Sequence, residues 1–186
     1  MKLLLRTLGV VLICSLAAVA QSDAQHFAKD GLAFDYPKGW SLQDESQQDT
    51  LLLGLSRSDS DVQIKVVAYR ALIPSPEVAG KAKKAIVDPY VESVSKQFEQ
   101  MGVHPERKPA STEIGGVKAE GVRIGAVLSG EPGAAEIYWI VTGQRLVVLT
   151  IFGPDNGIKK VAPAWDALRS SLQVEGPKPA VTPTPK

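Results

Sequence analysis

Apolar positions along this chain change their period several times, and each change marks an element. From Asp61 to Arg70 the side chains alternate, with Val62, Ile64, Val66 and Ala68 on one face and Gln63, Lys65, Val67 and Tyr69 on the other. That is the period-two pattern of a half-buried strand. Thr50 to Ser56 reads as another strand, and Lys29-Asp30-Gly31 is a turn signal that predicts a hairpin across His26 to Tyr36. The pattern then becomes helical. Pro76 to Ile86 is rich in Ala and Lys, and Val91, Val94, Phe98 and Met101 recur at spacings of three and four, one apolar stripe closed by Gly102. Asp88-Pro89 offers a cap residue and a proline for the first helical position, so a kink or two separate pieces are expected there.

Strand patterns return after the helix. Gly115-Gly116 predicts a tight turn into a long strand, Val117 to Leu128, whose apolar parity slips near Gly121 and suggests a bulge. Glu131-Pro132-Gly133 is expected to turn the chain into Ala135 to Thr142, and Gly143-Gln144 closes a two-residue hairpin into Arg145 to Phe152. Leu146 to Phe152 is apolar with little alternation, as in a central strand covered on both faces. A helix with Trp165, Leu168 and Leu172 on one face follows. Hairpin-linked strands with segregated helices predict an α+β fold: an antiparallel sheet with helices packed on its faces.

The two ends carry a different message. Lys2 and Arg6 precede an uninterrupted 13-residue apolar run, Leu8 to Ala20, with small residues at alternating positions across its end, Ala18, Ala20, Ser22 and Ala24. This is the order of a secretory signal peptide, residues 1–24, with cleavage after Ala20 or Ala24. A helix of that length reaches about 20 Å, short of the roughly 30 Å hydrocarbon core, so no membrane span is expected once the signal is gone. Cys14, the only cysteine, lies inside the run. A bacterial lipobox places a small residue immediately before its cysteine, and Ile13 stands there, which argues against lipid attachment. The predicted mature chain therefore has no thiol, in keeping with a periplasmic or extracellular destination. Residues 25–174 read as a single domain, and the Pro-rich stretch 175–186 as a disordered tail. Removing Lys2, Arg6 and Asp23 leaves basic and acidic residues in equal number, a balance that excludes an electrostatic case for nucleic acid.

Candidate chemistry is sparse. His26 and His104 lack a second histidine or cysteine at ligand spacing and are read as exposed loop residues. Ser93-Val94-Ser95-Lys96 matches S-x-x-K without its companion motifs, so Ser93 and Lys96 are assigned to the wet face of the Val91–Met101 helix. Asp59 and Asp61 resemble the opening of a calcium loop but lack its glycine and distal glutamate; a tight turn over Ser58 to Asp61 is the simpler reading. Asp155-Asn156-Gly157 reads as the approach to the last helix, and Asp44-Glu45 as loop carboxylates whose convergence spacing cannot establish. Tyr69 and Tyr138 lie on the less apolar strand faces and are either a recognition surface or core beneath a helix, the core being favoured. No catalytic residue, cofactor or metal ligand is assigned.

Phe34-Asp35-Tyr36-Pro37-Lys38-Gly39-Trp40 resembles the aromatic-x-Tyr-Pro-x-Gly-Trp opening of PsbP-like proteins, the family of the extrinsic photosystem II subunit and of bacterial DcrB-like exported proteins. Ala164 to Val174 is similar to that family's closing helix and final short strand. The resemblance spans residues 26–174 and implies an α/β/α sandwich and a binding, assembly or chaperone-like role, with no shared active site and no photosynthetic partner carried over. Its motif residues are structural: Pro37 stops pairing, Gly39 permits a turn, and Trp40 swings back to plug one end of the sheet. The leading expectation is an exported non-enzymatic module that binds a protein or cell-envelope component. The rivals are a hydrolase-type enzyme with a loop-built carboxylate site and a carrier of a small apolar ligand, the latter recognisable by an empty apolar cavity between sheet and helix.

Overall fold

Two antiparallel sheets and four α-helices make up residues 24–176, which are the residues described by the computed structural model. The signal segment, except Ala24, and nearly all of the Pro-rich tail read from the sequence lie outside them. A hairpin of β1 (Ala24–Lys29) and β2 (Leu32–Pro37) turns at Asp30-Gly31 and, with the two-residue β10 (Gln173–Val174) on its other side, forms the small sheet. The large sheet contains β3 (Ser41–Asp44), β4 (Thr50–Ser56), β5 (Gln63–Leu72), β6 (Glu106–Ile114), β7 (Val117–Leu128), β8 (Glu131–Thr142) and β9 (Arg145–Pro154). Its order is β3-β4-β5-β9-β8-β7-β6, antiparallel throughout.

Strand parity sorts the core into two layers. Leu51, Leu53, Leu55, Ile64, Val66, Val147, Leu149 and Ile151 face the small sheet and the last helices, α3 (Asp155–Lys160) and α4 (Ala162–Ser171). Val67, Tyr69, Ile137, Leu146 and Val148 face the first helical segment. The middle strand β9 is buried on both sides, as its unbroken apolar run requires. Trp40, Trp165 and Leu168 are buried in the first layer, and Tyr138 joins them as core. Trp40 is delivered there by a turn closed by its N–H on the Pro37 carbonyl, with Gly39 at φ +87°, a value open to glycine because it has no Cβ.

The helical segment solves the problem set by Pro89. α1 (Pro76–Ala82), capped by the Ser75 hydroxyl accepting from the Val78 N–H, runs into one π-helical turn, Lys83–Val87, and then into α2 (Asp88–Gln100). Proline lacks an N–H and its ring crowds the carbonyl four residues earlier. The wider turn relieves this by pairing the Asp88 N–H with the Lys83 carbonyl, five residues back. Asp88 is therefore not a cap, contrary to the sequence reading: its backbone is helical, and its carboxylate bonds the Lys83 ammonium at 2.7 Å. α2 closes with the Gly102 N–H on Glu99 and the Val103 N–H on Phe98, a Schellman arrangement.

Two further readings are corrected. The β6–β7 and β7–β8 ladders run without a break, so there is no bulge at Gly121; the register shift lies between Ala68 and Leu72 of β5. Gly121 breaks the apolar parity because the Tyr138 ring lies on it, and a Cβ there would sit 2.3 Å from the ring. Ser129-Gly130, with positive φ at both residues, makes the turn assigned to Glu131-Pro132-Gly133, which already belong to β8. The edge strands β3 and β6 have no counterpart in the sequence reading. Among the described residues, no helix is long and apolar enough to cross a membrane.

Candidate functional site

A cleft of about 290 Å³ opens between α2 and the sheet. It exists because β8 carries three small residues, Gly133 to Ala135, just inside its start. Gly133 and Ala135 bring little side-chain volume to the helix-facing surface, whereas Phe152 of β9 and Phe98 of α2 stand tall beside them. Close packing needs matched volumes, and here a helix rests on a floor too low to fill the space beneath it. Val94, Phe98 and Met101 form the helix wall, Leu128 and Pro132 close the far end, and Lys65 of β5 stands at the near end.

α2 is tied down at two places. Tyr90 Oη lies 3.1 Å from Thr150 Oγ1, and Thr150 is almost fully buried on β9. Burial pushes the Tyr90 phenol above its ordinary value, and burial followed by Tyr90 does the same to Tyr69. On the β6 side, Arg107 donates from Nε to the buried Ser95 Oγ at 2.6 Å and from Nη2 to Glu92 at 2.8 Å. Tyr90 and Thr150 of the first anchor line the cleft, and the Arg107 anchor lies outside its lining. Lys65 Nζ sits 5.4 Å from the centre of the Phe152 ring, and among the described residues no carboxylate lies within ion-pair distance of it.

Carboxylates do converge, but on the opposite face and around a cation. Arg123 of β7 donates to Glu136 Oε1 at 2.6 Å and to Asp155 Oδ1 at 2.7 Å, while the Tyr138 hydroxyl donates to Glu136 Oε2 at 3.0 Å. Burial and then the Glu136 carboxylate hold the Tyr138 phenol up, at about 12. This group ties β7, β8 and the start of α3 together, and each carboxylate is committed to the guanidinium.

The residues singled out in the sequence are dispersed. His26 lies in strand β1, not in a loop, and its Nδ1 is 2.7 Å from the Asp35 carboxylate on the surface. His104 is exposed after α2, and Ser93 and Lys96 occupy the exposed face of α2. Asp59 pairs with Arg57 in a turn closed by the Ser60 N–H on the Arg57 carbonyl. Asp44 is bonded by Lys29 Nζ at 2.6 Å, which, with Ser46, lowers its carboxyl to about 2. Asp155 opens α3 and belongs to the Arg123 group. Among the described residues, no three His, Cys, Asp or Glu side chains are grouped to hold a metal ion. Sequence reading passed over Lys65, Tyr90, Thr150 and Arg123. The signal for the cleft was present as the Gly133-Ala134-Ala135 run entering a central strand, read instead as the flank of a turn.

No family model matches the chain, and no curated protein is significantly similar to it. Solved structures do match in shape. The solution structure of cyanobacterial PsbP from Synechocystis sp. PCC 6803 superposes with a TM-score of 0.52 at 15% identity, covering 87% of this chain and 98% of that one. A crystal structure from Bacteroides thetaiotaomicron gives a TM-score of 0.52 at 14% identity, covering 82% of this chain and 49% of that one. The chain thus spans about half the length of the Bacteroides protein. The fold is PsbP-like, an α+β sandwich, as the FDYPKGW motif implied.

Proposed function

We propose that this chain is an exported, non-catalytic binding module of the cell envelope, and that the cleft beneath α2 is its recognition site. One observation carries the reading: an open, mainly apolar cleft lies between α2 and the sheet, with the Tyr90–Thr150 contact in its lining. Ligand sites are concave, largely apolar and furnished with a few placed polar groups, typically about 300–1,000 Å³. This cleft stands at the small end of that range and offers an ammonium and a hydroxyl pair. The converging carboxylates elsewhere support binding over hydrolysis, because Arg123 bridges both and leaves neither placed as a free acid or base. The signal-like N-terminus supports export, and a PsbP-like fold is compatible with many roles, so the site and not the fold supports this reading.

Native mass spectrometry on protein purified without denaturant from an exporting host tests it. A retained small-molecule mass is expected on the wild type and not on Ala135→Leu, whose larger side chain fills the cleft floor. Absence of any retained mass, together with no binding of an apolar fluorescent dye that Ala135→Leu abolishes, overturns the reading.

A further inference from the structure

We infer that the cleft takes the alkyl chain of a single-chain anionic amphiphile, a carboxylate such as decanoate, with the Lys65 ammonium as its headgroup partner. This rests on the cleft being the recognition site and names the class of ligand.

Shape supports one chain. Thr150 at one end pairs with Ile137 of β8, and Glu131 at the other lies six residues earlier on that strand. At about 3.3 Å per residue the lining spans roughly 20 Å. A volume of 290 Å³ is small for that length, so the volume and not the length limits the chain the cleft holds. With a methylene displacing about as much space as a water molecule, roughly 30 Å³, some ten carbons fit.

Charge supports an anion. Lys65 is half-buried at the near end, its ammonium beside Phe152 and without a carboxylate partner among the described residues. The single Thr150–Tyr90 hydrogen bond uses one of the two hydroxyl protons, so this end offers the Lys65 ammonium as its one cation and an O–H beside it as a second donor to a carboxylate. The far end is lined by Leu128 and Pro132. Met101 is 58% exposed at the lip, and its flexible thioether suits a chain terminus of variable length. Glu131 at that end is exposed and disfavours a reversed headgroup.

The test is titration calorimetry of the wild-type chain with decanoate, decanol and decyltrimethylammonium, and with carboxylates of six to twelve carbons. Affinity should rise about fourfold per methylene up to roughly ten carbons and then level off. Decanoate should bind roughly tenfold tighter than decanol, and the cationic amphiphile weakest. Lys65→Met should erase the preference for decanoate while leaving decanol unchanged. Ala135→Leu should weaken both roughly tenfold or more, and Val94→Trp, which fills the cleft from the helix side, repeats that arm should Ala135→Leu fold poorly by circular dichroism. Equal affinity for the three headgroups, or a preference that survives Lys65→Met, overturns the inference. So does failure of all three to bind; a mass retained in the native spectrum would then still support the cleft as a site for another ligand.

Discussion

The two faces of the large sheet are finished differently. On one, Trp40, Phe34, Trp165 and Tyr138 interlock with the aliphatic rows of β4, β5 and β9 beneath the small sheet and α4, and even Gly121 lies under a ring. On the other, a single helical segment crosses the sheet on two polar anchors above a floor of Gly and Ala. The first face supplies the bulk of the buried apolar area. The second leaves space unfilled, a local loss of packing that a monomer does not need for stability. On the proposed function, stability and recognition fall on opposite sides of one sheet, and changes on one side should leave the other's property largely intact.

The strongest test of that division is Trp165→Ala. It should lower unfolding free energy by about 3–5 kcal/mol in urea titrations, the range for truncating a buried aromatic. A loss as small as that of a surface substitution would mean the filled face is not the stabilising one. A matched pair comes next. Ala119→Leu on the filled face should cost about 1–3 kcal/mol through overpacking, whereas Ala135→Leu over the cleft should cost less than about 1 kcal/mol. Equal costs would show the cleft has no space to give.

Alkaline titration probes the same face electrostatically. With the Tyr138 phenol held at about 12 in the folded chain against an ordinary 10.0, its contribution is complete below pH 10 and is lost as pH rises through 12. Tyr138→Phe should lack that share of the decline in melting temperature across this window, and parallel curves for the two proteins would refute the burial argument. The smallest effect is expected at the lip, where Met101→Ala should change stability by only a few tenths of a kcal/mol.

Elements that bury one or both faces were legible in the sequence; edges were not. β5 and β9 announce themselves because alternate or continuous positions must be apolar. β6 reads Glu-Arg-Lys-Pro at its start, and β3 reads Ser-Leu-Gln-Asp. As edge strands they have one neighbour each and little to bury, so charge and proline serve them better than apolar residues, and no periodicity results. Pro89 was legible as a disturbance, yet the choice of a π-helical turn over a break depends on Val87 and Phe98 both reaching the same core. The cleft was the hardest to see. Small residues in a strand specify nothing until their neighbours across the sheet and above it are known.

One feature of the topology bears on how the chain reaches this state. In the seven-stranded sheet every pairing joins strands consecutive in the chain except one, β5 with β9. The sheet is two zigzags, each able to zip from its own turns, held along a single seam whose partners are far apart in sequence. Closing that long loop carries an entropic cost that grows only logarithmically with its length. The seam, lined by Ile64, Val66, Leu149 and Ile151, is therefore where the rate-limiting encounter of folding belongs, and shortening the helical crossing between the zigzags would speed it little.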